Sequence, residues 1–269
     1  MEEEYLEFAK DIAKYAGKIM KDYFYNKNIN IIFKNDKTPV TEADKMINNY
    51  LIDKVKEKYS NHSVDGEEEK YLINSKYVWV CDPIDGTSMF TYHIPVSVFS
   101  LALVFDGQPI IGVVYDPFLD EMYTAIKGNG AYCNDKKISV NNKKFGELGC
   151  AIDYCTWYSA KYDTLKIAEE IRKDVHISQI GTVAHGCMMV ATGRISGEIF
   201  PGIDHGHCDM AASKLIVEEA GGKVTNFHNQ EQRYDRDIDG AIITNGVIHE
   251  DLIRIIDNCV FINKKLIKK

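Results

Sequence analysis

Four acidic clusters in this chain combine the residue types and spacing that hard metal ions require. They are Asp44, the step Gly66-Glu67-Glu68, the run Asp82-Pro83-Ile84-Asp85-Gly86-Thr87, and Asp209. In the third cluster two carboxylates lie three residues apart around a proline. Such a turn can aim both carboxylates and one backbone carbonyl at a common point. Carboxylate and carbonyl oxygens are the donors that Mg2+ selects. Gly86 permits close approach of the backbone, and Thr87 starts a short helix whose N–H groups can face an anion. One segment therefore combines a metal site with a phosphate site. An isolated Asp-Pro-x-Asp is most often a plain turn, and a Glu-Glu pair a solvated surface. The whole set and its order separate this chain from those alternatives.

The elements that must position these groups follow from the apolar pattern. Leu6, Ala9, Ile12, Ala13, Ala16, Ile19 and Met20 recur at helical spacing and predict a first helix over about residues 3–24. Residues 26–35 read as irregular or strand-like. Thr41 is a candidate N-cap with Asp44 as its partner three residues on, and the helix that follows runs to about Tyr59. A strand over 77–81 stops at Asp82-Pro83. Runs at 96–105, 110–115 and 121–126 form an antiparallel meander, with Asp106-Gly107 as a hairpin turn. Gly128-Asn129-Gly130 is a turn and not a cofactor loop, because it lacks the strand-glycine-helix context. The second half alternates: strand 151–155, helix 164–172, helix 182–192, strand 196–200, a helix from Asp209 to Ala220 stopped by Gly221-Gly222, strand 241–244 and a closing helix over 248–258. The class expected is α+β. Two packed lobes are expected, 1–145 with most of the acidic motifs and 146–269 with Asp209, in one catalytic unit.

Composition narrows the function classes. The chain has 269 residues, enough for a sizeable core. Lys plus Arg number 32 against 40 Asp plus Glu, a net charge of −8 that argues against a general nucleic-acid binder. An acidic protein can still bind an anionic substrate if metal ions supply local positive charge. The start lacks the basic-then-apolar pattern of a signal peptide. The most apolar run, 96–105, is about half a membrane span. Seven cysteines, at 81, 133, 150, 155, 187, 208 and 259, are odd in number and irregular in spacing. That pattern predicts a reducing cytoplasm and no disulfide scaffold.

The segments DGEEE, WVCDPIDGTSMF and HCDMAASKLIVEEAGG resemble the signatures of the inositol monophosphatase-like, lithium-sensitive magnesium phosphatases. PVTEAD at 39–44 and IGTVAHGCMMVATGRISGEIF at 180–200 extend the resemblance over nearly the whole chain. It implies a layered α-β-α-β-α sandwich, two to three Mg2+ ions per site, a small phosphate monoester as substrate and a homodimer, with no nucleic-acid or membrane partner. It implies that Glu67, Asp82 and the Ile84 carbonyl bind a first ion, and that Asp82, Asp85 and Asp209 bind a second. Glu67 would also hold a third. Gly86 and Thr87 would offer N–H groups to the phosphate, while Asp44 and the Thr87 hydroxyl would orient the attacking water. Phosphoryl transfer asks mainly for positioning and charge neutralisation, so no covalent phosphoenzyme is needed.

The chain departs from that pattern before its last acidic ligand. The family's Trp-Asp is Cys208-Asp209 here, and the loop 202–208 reads about two residues longer. The glutamate that contacts substrate in inositol monophosphatases has no clear counterpart, since Phe200 and Pro201 occupy the region. Asp204, His205 and His207 are the candidate substrate contacts. A zinc site at His205, His207 and Cys208 is the alternative. The aromatic group Tyr154, Trp157, Tyr158 and Tyr162 is a candidate lid or oligomer contact, with plain packing as its alternative, and the lysines at 264, 265, 268 and 269 read as a solvated tail. Inositol 1-phosphate leads the substrates. Histidinol phosphate, other sugar phosphates, fructose 1,6-bisphosphate and 3′-phosphoadenosine 5′-phosphate are the alternatives. A non-catalytic binding protein on the same fold and a zinc- or redox-dependent protein built on the cysteines are the competing classes.

Overall fold

Three apolar cores hold together five layers of secondary structure. The computed structural model describes residues 2–26, 31–33, 39–157 and 160–259. Helix α1 (Glu2–Asn26) and helix α2 (Glu42–Lys58) form the first layer. A ribbon of β1 (Ile31–Phe33) and β2 (Pro39–Thr41) precedes α2. Thr41 caps α2: its N–H and hydroxyl both donate to Asp44 Oδ2, at 2.8 and 2.5 Å.

The second layer is an eight-stranded sheet. Its strands are β3 (Ser63–Gly66), β4 (Lys70–Tyr71), β5 (Tyr77–Asp85), β6 (Val98–Phe105), β7 (Gln108–Asp116), β8 (Glu121–Ile126), β9 (Ala131–Cys133) and β10 (Lys136–Lys137). The order is β10-β9-β8-β7-β6-β5-β3-β4, antiparallel except where β3 runs parallel to β5. Asp106 and Gly107 both take positive φ, 47° and 87°, as the tight turn between β6 and β7 requires. The short helix α3 (Thr87–Thr91) follows β5.

The remaining elements are β11 (Ala151–Tyr154), α4 (Thr164–Ile171), β12 (His176–Ser178), α5 (Val183–Ala191), β13 (Gly197–Phe200), α6 (Gly206–Glu219), β14 (Lys223–Thr225), β15 (Ala241–Thr244) and α7 (His249–Cys259). The strands form a sheet of order β12-β11-β13-β15-β14. Strand alternation sorts the side chains between cores. Trp79, Cys81, Leu101 and Leu103 face α1 and α2, whereas Val80, Ala102 and Val104 face α5 and α6. Phe200 and Ile243 join that inner core, while Ile199 and Ile242 pack against α4 and α7. The layers therefore run α-β-α-β-α, as the α+β sandwich predicts. The segment 138–150 joins the two sheets, and α6 crosses back to lie on the larger one. There Ala212 O would stand 3.0 Å from a Cβ at Gly112 of β7. Among the described residues no helix is long and apolar enough to cross a membrane.

Two boundaries differ from the sequence reading, and several short strands lie outside it. Strand β5 does not stop at Asp82 but runs on to Asp85 across a break in register. Pro83 has no N–H to donate, and the Ile84 N–H turns to Asp82 Oδ1 at 2.9 Å, so the ladder skips and resumes. Helix α6 begins at Gly206, three residues before Asp209. Its N-cap His205 takes a left-handed conformation, with its N–H on Asp237 Oδ1 at 3.0 Å. Strands β3, β4, β9, β10, β12 and β14 span two to four residues each and carry no periodic signal.

Candidate active site

The register break in β5 is what builds the site. It brings Asp82 and Asp85 to the end of a central strand, where α6 delivers Asp209. One carboxylate oxygen from each of the three lies within 4.8 Å of the others, and all three residues are buried. Glu67 follows the end of β3, its N–H held by Cys81 O at 3.0 Å. A cavity of about 290 Å³ opens on these groups, and Glu67, Asp82, Ile84, Asp85, Gly86, Thr87 and Asp209 all line it. Among the described residues no lysine or arginine does. Hard oxygen donors crowded without a cationic side chain suit a divalent metal ion.

Electrostatics agree with that fit. Burial pushes the Asp82 carboxyl well above its usual range, and Glu67, Asp209 and Asp85 add repulsion. Burial also raises Asp85, to about 6, against the pull of two backbone donors. Those donors are Ala184 N–H, 2.6 Å from Oδ2, and Val183 N–H, 3.4 Å from Oδ1. They belong to the first turn of α5, whose dipole favours an anion there. Thr182 is the N-cap of α5, and nothing in the sequence links this helix start to Asp85.

Asp44 is fully buried and lies beside the cavity wall, not in it. Burial raises its carboxyl to about 7, with Glu67 and Glu68 adding to the rise and the Thr41 bonds opposing it. Its Oδ1 is buried without a hydrogen-bond partner, an acceptor poised for a donor. Thr87 Oγ1 donates to Ile84 O at 3.0 Å, which leaves the hydroxyl lone pairs as acceptors. Gly86 turns the chain into α3 at φ 82°.

The loop ahead of α6 is placed differently from the candidate substrate contacts. Only Ile203 of that loop lines the cavity. Asp204 is exposed and His205 half-buried outside the lining. His207 is 1% exposed and turned inward, with Nε2 3.0 Å from Asp65 Oδ2 and Nδ1 3.2 Å from Asp237 Oδ1. Both its ring nitrogens face carboxylates, and the set His205, His207, Cys208 is not among the convergent ligand groups of the described residues. Of the aromatic group, Trp157 lines the cavity with its edge against Phe200, while Tyr162 stacks on Phe227 at 4.2 Å. Tyr158 and the lysines at 264, 265, 268 and 269 lie outside the described residues. The cavity wall also holds Met89, Tyr92 and Gln179, which no sequence signal singled out.

The fold and the carboxylate site together define a five-layered α+β phosphatase. An IMPase of Thermotoga maritima superposes with a TM-score of 0.85 at 27% identity, covering 95% of this chain and 98% of that one. The extragenic suppressor protein suhB of Bartonella henselae gives 0.86 at 28%, covering 94% and 98%. The sequence pattern described as the inositol monophosphatase family matches residues 1–260, and the chain belongs to that family. Inositol monophosphatase 1 of Rattus norvegicus is 34% identical over 239 residues, 82% of each chain. The histidinol-phosphatase of Chlorobaculum parvum is 29% identical over 254 residues, 94% of this chain and 96% of its own.

Proposed function

We propose that this phosphatase is Mg2+-dependent and hydrolyses a small polyol or sugar phosphate, with inositol 1-phosphate as the leading substrate. The observation that carries the reading is the convergence of Asp82, Asp85 and Asp209 within 4.8 Å in a cavity that Glu67 also lines. A phosphate dianion would be repelled from that cavity unless cations offset the carboxylates.

Glu67, Asp82 and the Ile84 carbonyl would hold one ion, and Asp82, Asp85 and Asp209 a second, with Glu67 available to a third. When bound, Mg2+ supplies an acidified water and neutralises charge on the leaving oxygen. The first turn of α5 fixes the Asp85 carboxylate by two N–H donors, so this ligand is oriented before any ion arrives. Gly86 and Thr87 present backbone to the phosphate at the lip of α3. Asp44, with a pKa of about 7, would with the Thr87 hydroxyl orient the attacking water, and its carboxyl could take a proton near neutral pH. Trp157, Tyr92 and Met89 line the cavity and would offer apolar surface to the alcohol half of the substrate. Homodimerisation and inhibition by Li+ at the second ion position belong to the same reading.

Phosphate release with Mg2+ across a panel tests it. The panel holds inositol 1-phosphate, histidinol phosphate, fructose 1,6-bisphosphate, adenosine 3′,5′-bisphosphate and several sugar phosphates. The expected result is inositol 1-phosphate leading in kcat/KM. A lead of about 100-fold for another member, roughly 2.7 kcal/mol of discrimination, would reassign the substrate and keep the site.

A further inference from the structure

A second buried cluster lies behind the cavity wall. Strands β11 and β13 run parallel, and their register sets Asp153 opposite Glu198. Cys155 follows Asp153 by two residues and so emerges on the same face. Its N–H continues the pairing to Ile199 O at 3.0 Å. One ligand atom from each of Asp153, Cys155 and Glu198 lies within 4.8 Å of the others. Asp153 and Glu198 are 0% exposed, and Cys155 is 1% exposed.

Two carboxylates side by side on neighbouring strands repel each other, and burial makes the repulsion costly. The protein answers only part of this cost. Asp153 Oδ1 accepts from Ser178 Oγ at 2.5 Å and from Ile180 N–H at 3.1 Å. Glu198 Oε1 accepts the Cys155 thiol at 3.3 Å. Glu198 Oε2 is buried with no hydrogen-bond partner. Room for that oxygen is made at Gly186 of α5, where a Cβ would stand 2.5 Å from it. Burial, with the Asp153 charge added, raises the Glu198 carboxyl well above its usual range. A cation among the three side chains would offset this charge.

The geometry points to a site for a thiophilic divalent cation, Zn2+ above all, formed by Asp153, Cys155 and Glu198 and separate from the carboxylates of the catalytic cavity. Zn2+ takes thiolate at about 2.3 Å and carboxylate at about 2.0–2.2 Å in a tetrahedron, which sets its ligand atoms roughly 3.5 Å apart. The observed spread accommodates that. A thiolate ligand selects Zn2+ over Mg2+. Cys155 also lines the catalytic cavity, the side from which an ion would enter, and a water would complete the coordination. Binding releases the thiol proton, and any proton on Glu198, to solvent. The bound ion joins β11 to β13 and stiffens the Cys155-Thr156-Trp157 wall of the cavity.

Co2+ is the probe for this site. The full chain is stripped by chelation, the carboxylate site is filled with excess Mg2+, and Co2+ is added alone. The expected result is a thiolate-to-Co2+ charge-transfer band in the near ultraviolet that saturates at one equivalent and is displaced by Zn2+. Cys155→Ser should abolish the band. Glu198→Gln, checked for folding by circular dichroism, should weaken Co2+ binding at least about 10-fold. The absence of a thiolate band in the unaltered protein overturns the proposal, as does a band that survives Cys155→Ser. Should Glu198→Gln not fold, those two measurements still decide. In the negative case Asp153 and Glu198 share a proton instead of an ion.

Discussion

His207 Nε2 lies 3.0 Å from Asp65 Oδ2, joining residues 142 apart in the chain. Asp65 sits on β3 two residues before Glu67, and His207 sits in the first turn of α6 two residues before Asp209. The pair therefore sets the distance between two acidic residues of the cavity. Burial alone would raise the Asp65 carboxyl, but hydrogen bonds from His207 and Lys70 outweigh it and hold Asp65 below its usual range. His207→Ala removes one hydrogen bond to the buried Asp65 carboxylate while Lys70 keeps its own at 2.8 Å, and should cost about 2 kcal/mol, a fall in Tm of roughly 4–8 °C. In the folded fraction it should weaken Mg2+ activation. A variant with unchanged Tm and an unchanged Mg2+ requirement would show that the pair positions nothing.

Asp85→Asn tests the carboxylate cluster. The amide keeps the size of the side chain but loses a charge and one acceptor for the α5 donors. Turnover should fall at least about 100-fold, beyond what loss of an outer partner of a ligand costs. The metal-free variant should melt no lower than the metal-free parent, because Asp82 and Asp209 then face one repelling charge fewer. Near-parental turnover would remove Asp85 from the ligand set.

The pH dependence has a definite sign. Asp44 sits at about 7 and Asp85 at about 6, both raised chiefly by burial, against about 4 for an unfolded carboxyl. Without metal the folded protein holds protons that the unfolded chain has released. This contribution is fully present below about pH 4 and is lost as pH rises through 6 and 7. Metal ligands must be deprotonated, so Mg2+ has more to stabilise at high pH. The difference in Tm between Mg2+-loaded and chelated protein should widen from pH 5.5 to 7.5. A constant difference would contradict Asp85 as a metal ligand.

Gly86 cannot accept a side chain. Its φ is 82°, and a Cβ there would stand 2.5 Å from Thr182 Cγ2. Thr182 is the N-cap of the helix whose N–H groups hold Asp85. Gly86→Ala should therefore cost about 1–2 kcal/mol in backbone strain and displace both the phosphate lip and the Asp85 donors. A thermal melt and a kcat measurement check this, and the loss in kcat should exceed the change in KM.

Local chemistry was legible in the sequence, and long-range register was not. The Thr41–Asp44 cap, the Asp106-Gly107 turn and the Thr182–Thr192 helix depend on neighbours in the chain, so residue type announces them. The run from Asp82 to Thr87 was readable because its own turn gathers the groups. The partner of His207 lies 142 residues away, and only pairing of β3 with β5 brings it near. This is why His207 read as a substrate contact and proved to be turned inward. The buried set Asp153, Cys155 and Glu198 depends likewise on the β11–β13 register. A strand of three or four residues gives too few alternations to reveal a face.

Phosphate release from inositol 1-phosphate as a function of Mg2+ concentration, run on the parent chain and on Asp209→Asn after chelation, tests the metal site most directly. The prediction is no release from either protein before Mg2+ is added, full recovery of the parent on titration, and little or no recovery of the variant. Release that continues in the chelated parent, or equal recovery of the variant, would contradict a metal-dependent site built on Asp82, Asp85 and Asp209.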